Sequence, residues 1–507
     1  MLPDTTSLLA EILLKVLERF SGFIMKNPKV SVKLLQTINP ELLEKISKRK
    51  AVLQLKRAAK KVPFYKIFLK QHKIKIEKLK SFSDFKKVPL TTKENYITKC
   101  RDLSNLFVDG KLSSTNLIYK SSGYTGKALV WAHNLEEGDD DITYAKIGLE
   151  SLFSISKNTT LLINGFALGS WVSGMKFALI MSRIAPTINP GANQDEILEL
   201  INFFCDKFDQ LIVSGYPPFI KNLVELGLSK GINFRKYNIN FLLAGEGFSE
   251  SFRDYLYTLI GSSSKGNKSK IYSIYGAADI GVSGINENDD TVMIRKAAED
   301  NESLKYKLFG KCESTPMLFQ YNLMNFFIEQ NFSGELVITK TNLRTAQPLI
   351  RYNIHDLGGV ISYRKMQEIL DDEGVDIKIK LALPFVYVTG RNRGTISINA
   401  AKIYPETIHK ALYKDASLAR FITGRFKMRK EYTKRHDEKF IINIELKEGV
   451  TPSAKLKMRL EKIIKKQLIN DNLEYKDMIT HYSDLALPHV NLVKYKKPGG
   501  NIKNDYV

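Results

Sequence analysis

Between residues 159 and 275 short apolar segments alternate with longer segments of helical periodicity, and this alternation constrains the fold more than any other feature. Strands separated by helices favour a parallel sheet with helices packed on its faces, which is an α/β architecture. In such sheets, ligands bind beyond the carboxyl ends of the strands. The predicted strands are Thr160–Phe166, Gln210–Ser214, Ile239–Ala244 and Lys270–Tyr275, and the predicted helices are Asp195–Phe208, Pro217–Lys230 and the segment from the cap Ser249 to Ile260.

The composition is typical of a globular protein with a large core. The 507 residues are 43% hydrophobic, and no apolar run is long enough to span a bilayer. The three cysteines lie far apart without metal-ligand spacing, and the N-terminus lacks a signal peptide, so we expect a cytoplasmic protein without disulfides. The net charge of +23 indicates a lysine-rich surface. Nucleic-acid binding through the basic N-terminal region is an alternative, but no recognised motif accompanies it.

A change of pattern near residue 390 divides the chain into two predicted domains. Residues 1–389 form a large N-terminal α/β domain, of which residues 1–95 are mainly helical, with helices predicted over 5–25 and 41–62. Residues 390–507 read as a small α+β domain. Its predicted elements are strands over Thr395–Ile398, Ala419–Phe426 and Lys439–Leu446, and helices over Pro405–Tyr413 and Leu456–Leu468.

A loop rich in hydroxyls and glycines, Tyr119–Lys127, lies between two apolar segments and predicts a strand, a loop and a strand. Its glycines allow backbone N–H groups to approach an anion closely, and its serine and threonine hydroxyls add donors. Lys127 supplies positive charge. The loop lacks the spacing of a Walker A motif. Taken alone, it is interpreted either as a polyphosphate site or as a surface hairpin.

Four further segments with residues suited to binding a nucleotide follow this loop along the chain. Gly245-Glu246-Gly247 ends a predicted strand, where a ligand can lie against the backbone. Tyr275-Gly276 ends another strand with a ring suited to a nucleobase, and Asp279 follows with a carboxylate suited to a hard cation. The segment Pro348–Asp356 ends in a carboxylate suited to a ribose diol, and Gly390-Arg391 lies at the predicted domain junction.

This set of motifs resembles the adenylate-forming superfamily of acyl-CoA ligases, firefly luciferases and peptide-synthetase adenylation domains. Within the superfamily it is most similar to the phenylacetate–coenzyme A ligase-like branch. The resemblance covers nearly the whole chain from about residue 50. It implies a large N-terminal domain of several α/β subdomains and a small mobile α+β C-terminal domain. The segments that indicate the branch are Val62–Tyr65, Val88–Lys93, Ser214–Pro218, Pro348–Asp356 and Ile403–Pro405.

The resemblance implies a role for individual residues of each motif. Residues that match the phosphate-binding loop are Ser121, Ser122, Gly123, Thr125, Gly126 and Lys127. Residues that match the remaining nucleotide positions are Gly245 and Glu246 beside adenine and the acyl group, Tyr275 and Gly276 at adenine, Asp279 at magnesium, Asp356 at the ribose and Arg391 at the hinge.

The family also has a lysine near the C-terminus that stabilises charge during adenylation. Counting back from the end of the chain places it at Lys503, whereas counting from the Gly-Gly pair places Asn501 there, and we favour Lys503 with Lys127 as the catalytic lysines. Other positions depart from the family pattern: Asp279 replaces glutamate, His355 replaces glycine, and Asn392-Arg393-Gly394 replaces an acidic pair. The adenylation half-reaction is therefore better supported than the thioester half.

The implied reaction is ATP-dependent activation of a small carboxylic acid, with Mg²⁺ as cofactor and coenzyme A as the acyl acceptor. The predicted acid pocket contains aromatic side chains that suit an aryl-sized slot, although each of them can also be ordinary core. Two other interpretations stay open: an adenylate-forming enzyme with another acceptor, and a catalytically impaired relative that binds a nucleotide or an aromatic ligand. The predicted pocket residues are Phe166, Trp171, Tyr216, Gly245 and Gly247.

Overall fold

The structure, a computed structural model, describes most of the chain. The described ranges are 27–79, 81–121, 129–170, 172–261, 269–312, 315–391, 395–399, 401–419, 421–481 and 487–495. The helix predicted over 5–25 lies outside them. None of the described helices is both long enough and apolar enough to cross a membrane.

The described part of the chain contains sixteen helices. They are α1 (Pro28–Thr37), α2 (Pro40–Lys61), α3 (Pro63–Gln71), α4 (Phe82–Phe85), α5 (Leu135–Phe153), α6 (Phe177–Ser182), α7 (Gln194–Phe204), α8 (Pro217–Ser229), α9 (Glu250–Leu259), α10 (Asp289–Asp300), α11 (Glu302–Phe309), α12 (Tyr363–Asp372), α13 (Pro405–Lys414), α14 (Ala416–Ala419), α15 (Ala454–Asp471) and α16 (Leu473–His481). Several begin at the residues that favour a helix start. Asn39 caps α2 before a proline, and Ser249 caps α9 as the sequence predicts.

The strands form one large sheet and three small ones. They are β1 (Leu117–Ser121), β2 (Leu129–His133), β3 (Thr160–Asn164), β4 (Thr187–Ile188), β5 (Gln210–Gly215), β6 (Ile239–Ala244), β7 (Ile271–Ile274), β8 (Ile285–Asn286), β9 (Met317–Tyr321), β10 (Phe326–Gln330), β11 (Glu335–Lys340), β12 (Tyr352–Ile361), β13 (Phe385–Arg391), β14 (Ile396–Ile398), β15 (Ala401–Ile403), β16 (Ile422–Tyr432), β17 (Glu438–Leu446) and β18 (Pro488–Val493). Within the described residues, eleven strands make the large sheet in the order β10-β11-β12-β13-β9-β8-β7-β6-β5-β3-β4.

The large sheet has a parallel half and an antiparallel half. Strands β4, β3, β5, β6 and β7 run parallel, which confirms the predicted α/β architecture of this region. From β7 outward every pairing is antiparallel. Both halves are covered, since five of the six residues of β6 and all residues of β9 and β11 are buried. The carboxyl ends of the parallel strands therefore open beside the antiparallel half.

The hairpin β1–β2 carries the predicted phosphate loop and is separate from the large sheet. Leu117 pairs with His133 and Ser121 pairs with Leu129, in the strand–loop–strand arrangement that the sequence predicts. Trp131 and Tyr119 of this hairpin are 2% and 1% exposed, so the hairpin is anchored in the main core. This burial fixes both ends of the loop.

The C-terminal unit is an α+β structure with its own hydrophobic cluster. It contains the hairpin β14–β15 and a three-stranded sheet in which β16 runs antiparallel and β18 runs parallel to β17. Helices α13 and α15 pack there, and Ile408, Phe440 and Ile464 of the cluster are fully buried. The clustered residues run from Ile398 to Val490. A domain boundary near residue 390 stays a prediction.

Candidate active site

A cavity of about 410 Å³ lies between the ends of the parallel strands and the C-terminal unit. The carboxyl end of β6 supplies Ala244 and Gly245, and the segment after β7 supplies Gly276 and Asp279. The C-terminal unit supplies further wall residues, which are Asn399, Ala401, Lys402, Glu474, Asp477 and Met478. The cavity occupies the place that the parallel topology predicts for a ligand.

The predicted adenine and ribose positions meet at one edge of the large sheet. The Tyr275 hydroxyl donates a hydrogen bond of 2.6 Å to the Asp356 carboxylate, although the two residues are 81 positions apart in the chain. Asp356 is also the partner of Arg391 in the pairing of β12 with β13. Three residues that the resemblance assigns to the nucleotide are therefore neighbours in the fold.

Asp279 is 1% exposed and has two partners that the motif analysis did not foresee. The Tyr352 hydroxyl donates to Asp279 Oδ2 at 2.9 Å, and Lys93 Nζ lies 3.3 Å from the same oxygen. Magnesium in nucleotide sites typically uses one or two carboxylates together with substrate phosphates. A single carboxylate at the cavity fits that pattern, but the Lys93 ammonium already neutralises part of its charge.

Lys93 reaches the cavity because its segment joins the large sheet. Thr91 forms a parallel bridge with Tyr352, since its N–H donates to the Arg351 carbonyl at 3.0 Å and its carbonyl accepts from the Asn353 N–H at 2.8 Å. Lys93 then starts a single helical turn, capped by Thr92, and lines the cavity. Sequence reasoning used Val88–Lys93 only as evidence of resemblance and did not place this lysine in the site.

The glycine and aromatic residues of the predicted acid pocket separate into two groups. Tyr216 and Gly245 line the cavity, and Gly245 has φ +101 with its α-carbon against the Tyr216 ring. Phe166 is 1% exposed and packs edge-on against Tyr216 and Phe177, so the structure places it in the core behind the cavity wall. Gly247 lies beside a second, smaller cavity.

Glu246 points toward the C-terminal unit and forms an ion pair there. Its Oε2 lies 3.0 Å from Lys430 Nζ, and the same ammonium lies 2.6 Å from Glu438 Oε1. Burial, together with the nearby Glu438 charge, raises the pKa of Glu246 above its ordinary value. Burial opposes the charged form of Lys430, but the two carboxylates outweigh it and raise the pKa of Lys430.

A second set of buried ionisable groups lies beneath the phosphate hairpin. Lys176 Nζ is 2.6 Å from Asp141 Oδ2 and 2.7 Å from His133 Nδ1, and the Tyr119 hydroxyl contacts the other nitrogen of His133. Burial lowers the pKa of His133, which favours the neutral imidazole. The Lys120 N–H also donates to the Ser170 carbonyl at 2.7 Å. The last contact connects the hairpin to the segment that precedes the cavity residues Val172 and Ser173.

Several predicted site residues lie outside what the structure describes. For Ser121 and Arg391 only the backbone is described, as the ends of β1 and β13. The others are Ser122, Gly123, Thr125, Gly126, Lys127, Trp171 and Lys503, and their roles stay predictions.

No family model and no curated protein sequence matches the chain. Solved structures do match. The structure of 2-hydroxyisobutyryl-CoA ligase in complex with 2-HIB-AMP and CoA, in the thioesterification state, has a TM-score of 0.65 at 15% identity and covers 93% of this chain and 91% of that chain. The same ligase in the postadenylation state with R3-HIB-AMP has a TM-score of 0.54 at 14% identity, over 92% of this chain and 88% of that chain. An open conformation of the same ligase, with 2-HIB-AMP and CoA, has a TM-score of 0.52 at 14% identity and covers 90% of this chain and 89% of that chain.

The chain has the fold of the adenylate-forming ligases. The adenylate-forming fold accounts for both units, because the alignment extends over nearly the whole length of each chain. The fold that the sequence motifs imply is thereby confirmed. The identity of 15% does not discriminate among the branches of the superfamily.

Proposed function

We propose that this protein activates a carboxylic acid with ATP and then transfers the acyl group to coenzyme A. The observation that supports this most directly is the 2.6 Å hydrogen bond between Tyr275 and Asp356, together with Gly276, which follows Tyr275, and Asp279 on the wall of the cavity. A ring for adenine, a carboxylate for the ribose and a carboxylate for a hard cation are the groups that ATP requires. The proposed location is the cytoplasm, as for other enzymes that use ATP and coenzyme A.

In the first step a carboxylate oxygen of the acid attacks the α-phosphorus of ATP, and the bond to the pyrophosphate oxygen breaks. The chain has little covalent chemistry to perform, so its residues act by alignment and by charge neutralisation. Lys93 and Lys120 line the cavity and supply positive charge. This charge is additional to that of the proposed catalytic lysines, Lys127 and Lys503. A magnesium ion held by Asp279 and the phosphates would supply further neutralisation.

In the second step the sulfur of coenzyme A attacks the acyl carbon, and AMP leaves with the bonding electron pair. Residues of the C-terminal unit, among them Asn399 and Met478, line the side of the cavity opposite the parallel strands. We propose that the thiol enters between these two walls.

The acid is proposed to be aromatic, in keeping with the phenylacetate–coenzyme A ligase-like motifs. The part of the cavity near Gly245 is largely apolar, with contributions from Ala167, Leu168 and Val172, and Tyr216 provides one flat ring. Burial raises the pKa of Tyr216 to about 12, so the ring stays neutral and its hydroxyl remains a hydrogen-bond donor. A neutral, apolar slot with one ring suits an uncharged aryl group.

The test is pyrophosphate release with ATP, Mg²⁺ and a panel of aromatic and aliphatic acids, each with and without coenzyme A. We expect one class of aromatic acids to stimulate release, and coenzyme A to convert a single burst into sustained turnover. Asp356→Asn is the matched variant, because it removes the proposed ribose contact and retains the side-chain shape. Release that is independent of every acid, or equal in Asp356→Asn, would contradict the proposal. A burst of pyrophosphate release that coenzyme A does not change would refute coenzyme A as the acyl acceptor.

A further inference from the structure

Two ion pairs, each with one buried and one partly exposed member, join the C-terminal unit to the large N-terminal unit, and the cation comes from a different unit in each pair. Lys221, on α8, lies 2.5 Å from Asp437, which belongs to the turn between β16 and β17. Lys430, on β16, lies 3.0 Å from Glu246, which follows β6. Each unit therefore contributes one cation and one carboxylate. We call these four residues the clamp.

The burial of the clamp depends on the contact between the two units. The Lys221 side chain is 1% exposed and that of Glu246 is 3% exposed. A lysine is rarely buried to this extent without a partner, because removing its charge from water is costly. The Glu246 Oε1 atom has no hydrogen-bond partner among the described residues, so Lys430 carries most of the compensation for this carboxylate.

The clamp is continuous with the wall of the cavity. Lys430 Nζ also lies 2.6 Å from Glu438 Oε1, and Glu438 Oε2 accepts a hydrogen bond of 2.7 Å from the Asn399 N–H. Asn399 lines the cavity and has a left-handed backbone with φ +44. The position of this cavity residue therefore depends on Lys430 through one intervening carboxylate.

Hydrogen bonds within the turn at Asp437 define its conformation. Thr433 closes it, since its N–H donates to the Asp437 carbonyl at 2.9 Å and its hydroxyl accepts from the Asp437 N–H at 3.1 Å. The ring of His436, in the same turn, packs against Phe252 and Tyr255 of α9 at centroid distances of 6.0 and 5.0 Å. The turn thus docks as a preformed unit on α8 and α9.

We propose that Lys430 is a positioning residue that holds the C-terminal unit in the arrangement that receives the acyl acceptor. The inference rests on the proposed function, because it assigns the clamp to the second half-reaction. One ligase has a TM-score of 0.65 to this chain in its thioesterification state and 0.52 in an open conformation. Without the clamp, Lys221 would keep Glu225 of its own helix, at 3.0 Å, as an ion-pair partner, and Glu246 would lose Lys430.

The experiment compares Lys430→Met with Lys427→Met. Lys427 lies on the same strand, is exposed, and makes no ion pair with any other described residue, so the two substitutions change the charge equally. Rapid-quench assays measure acyl-adenylate formation and, separately, transfer from the adenylate to coenzyme A. We expect Lys430→Met to slow transfer at least about tenfold and adenylate formation by less than about twofold, because loss of this pair shifts the population of the clamped arrangement. Lys427→Met should change neither step.

A second readout does not depend on activity. Reductive methylation with formaldehyde and a borohydride, followed by peptide mass spectrometry, measures how often Lys221 is exposed. We expect Lys430→Met to raise the methylation rate of Lys221 at least about fivefold, Lys430→Arg to restore the slow rate, and Lys427→Met to leave it unchanged. Asp437→Asn tests the other end of the clamp and should produce the same half-reaction split.

The outcomes separate the clamp from the proposed function. Protection of Lys221 that is equal in all variants would overturn the clamp, whatever the activity. Loss of both half-reactions to the same degree in Lys430→Met would also overturn it, because that result indicates a general defect. If no acid supports adenylate formation but the methylation of Lys221 responds as expected, the clamp stands as an interdomain contact and the proposed function fails.

Discussion

Replacing Gly245 with alanine tests how the end of β6 shapes the acid pocket. An ideal Cβ at this position lies 2.2 Å from Cε1 and 2.4 Å from Cδ1 of Tyr216, whereas ordinary contact begins near 3.4 Å. The Tyr216 ring has little room to move away. Phe166 packs edge-on against it with 5.3 Å between the ring centroids, and the Tyr216 hydroxyl is 3.3 Å from Ser173 Oγ. The substitution must therefore move the ring or the strand end.

The expected cost of this change has two parts. The backbone has φ +101, a conformation that costs a residue with a side chain on the order of 1–3 kcal/mol. Overpacking against the ring adds a further ~1–3 kcal/mol. We expect Gly245→Ala to lower the free energy of unfolding in urea by about 2–6 kcal/mol in total and to raise KM for the acid.

The matched control is Gly247→Ala, two residues along the chain. Its Cβ would meet only the Met317 side chain, at 3.0 Å, and no left-handed φ is required, so we expect a loss below about 1 kcal/mol. In a Tyr216→Leu background the Gly245→Ala loss should shrink to the backbone part alone, a coupling of about 1–3 kcal/mol in a double-mutant cycle. Equal losses for the two glycines, or no coupling with Tyr216, would refute the steric reasoning.

Three further predictions follow from the contacts of Asp356, Lys93 and Glu94. Asp356→Asn should weaken ATP binding about tenfold or more by calorimetry, because hydrogen bonds to a charged group are worth ~1.5–3 kcal/mol, and unchanged affinity would remove Asp356 from the nucleotide site. Lys93→Met should lose activity at low Mg²⁺ and regain part of it at high Mg²⁺, since a divalent cation can replace the ammonium beside Asp279; a loss that is independent of Mg²⁺ would contradict this role. Glu94→Gln should reduce the free energy of unfolding near pH 5.5 but not above the raised pKa of His355, and an equal loss at both pH values would argue against the ion pair.

The sign of the pH effect follows from the shift of each partner. The hydrogen bond to Glu94 raises the pKa of His355 above its ordinary value, so the stability from this histidine is full below about pH 6.5 and is lost as pH rises through the folded pKa. The hydrogen bond to His355 lowers the pKa of Glu94 from 4.5 to about 2, so its contribution is full above pH 4.5 and is lost as pH falls toward 2. The pair therefore contributes most between about pH 4.5 and 6.5.

The parallel half of the sheet was predictable because its signals are local. Each strand is a short buried run between helices, and the observed bounds of β5 (Gln210–Gly215) and β6 (Ile239–Ala244) lie within one residue of the prediction. The cap Ser249 before α9 carried similar information. In contrast, the antiparallel half was not delineated as strands, because β9, β10 and β11 follow one another without the intervening helices that separate the parallel strands.

The contacts that assemble the site were not predictable from spacing. Lys93 meets Asp279, and Lys430 meets Glu246 across 184 residues, because of strand order and domain arrangement that no local pattern encodes. The segment Pro89–Lys93 was the sequence signal that could have placed Lys93 in the site, because the sequence pattern assigned this lysine no structural role. The pairing of Tyr275 with Asp356 was foreseeable only through the resemblance.

The departure at His355 shows how the site tolerates a residue that breaks the family pattern. The backbone keeps the left-handed conformation that glycine would adopt, with φ +63, and histidine tolerates this better than a branched residue would. The side chain then lies 3.1 Å from Glu335 and 3.4 Å from Glu94, the residue next to Lys93. Lys93 and Glu94, consecutive residues of one turn, therefore contact Asp279 and His355, the residue before Asp356. Histidine in place of glycine thus adds a side-chain contact between this turn and β12.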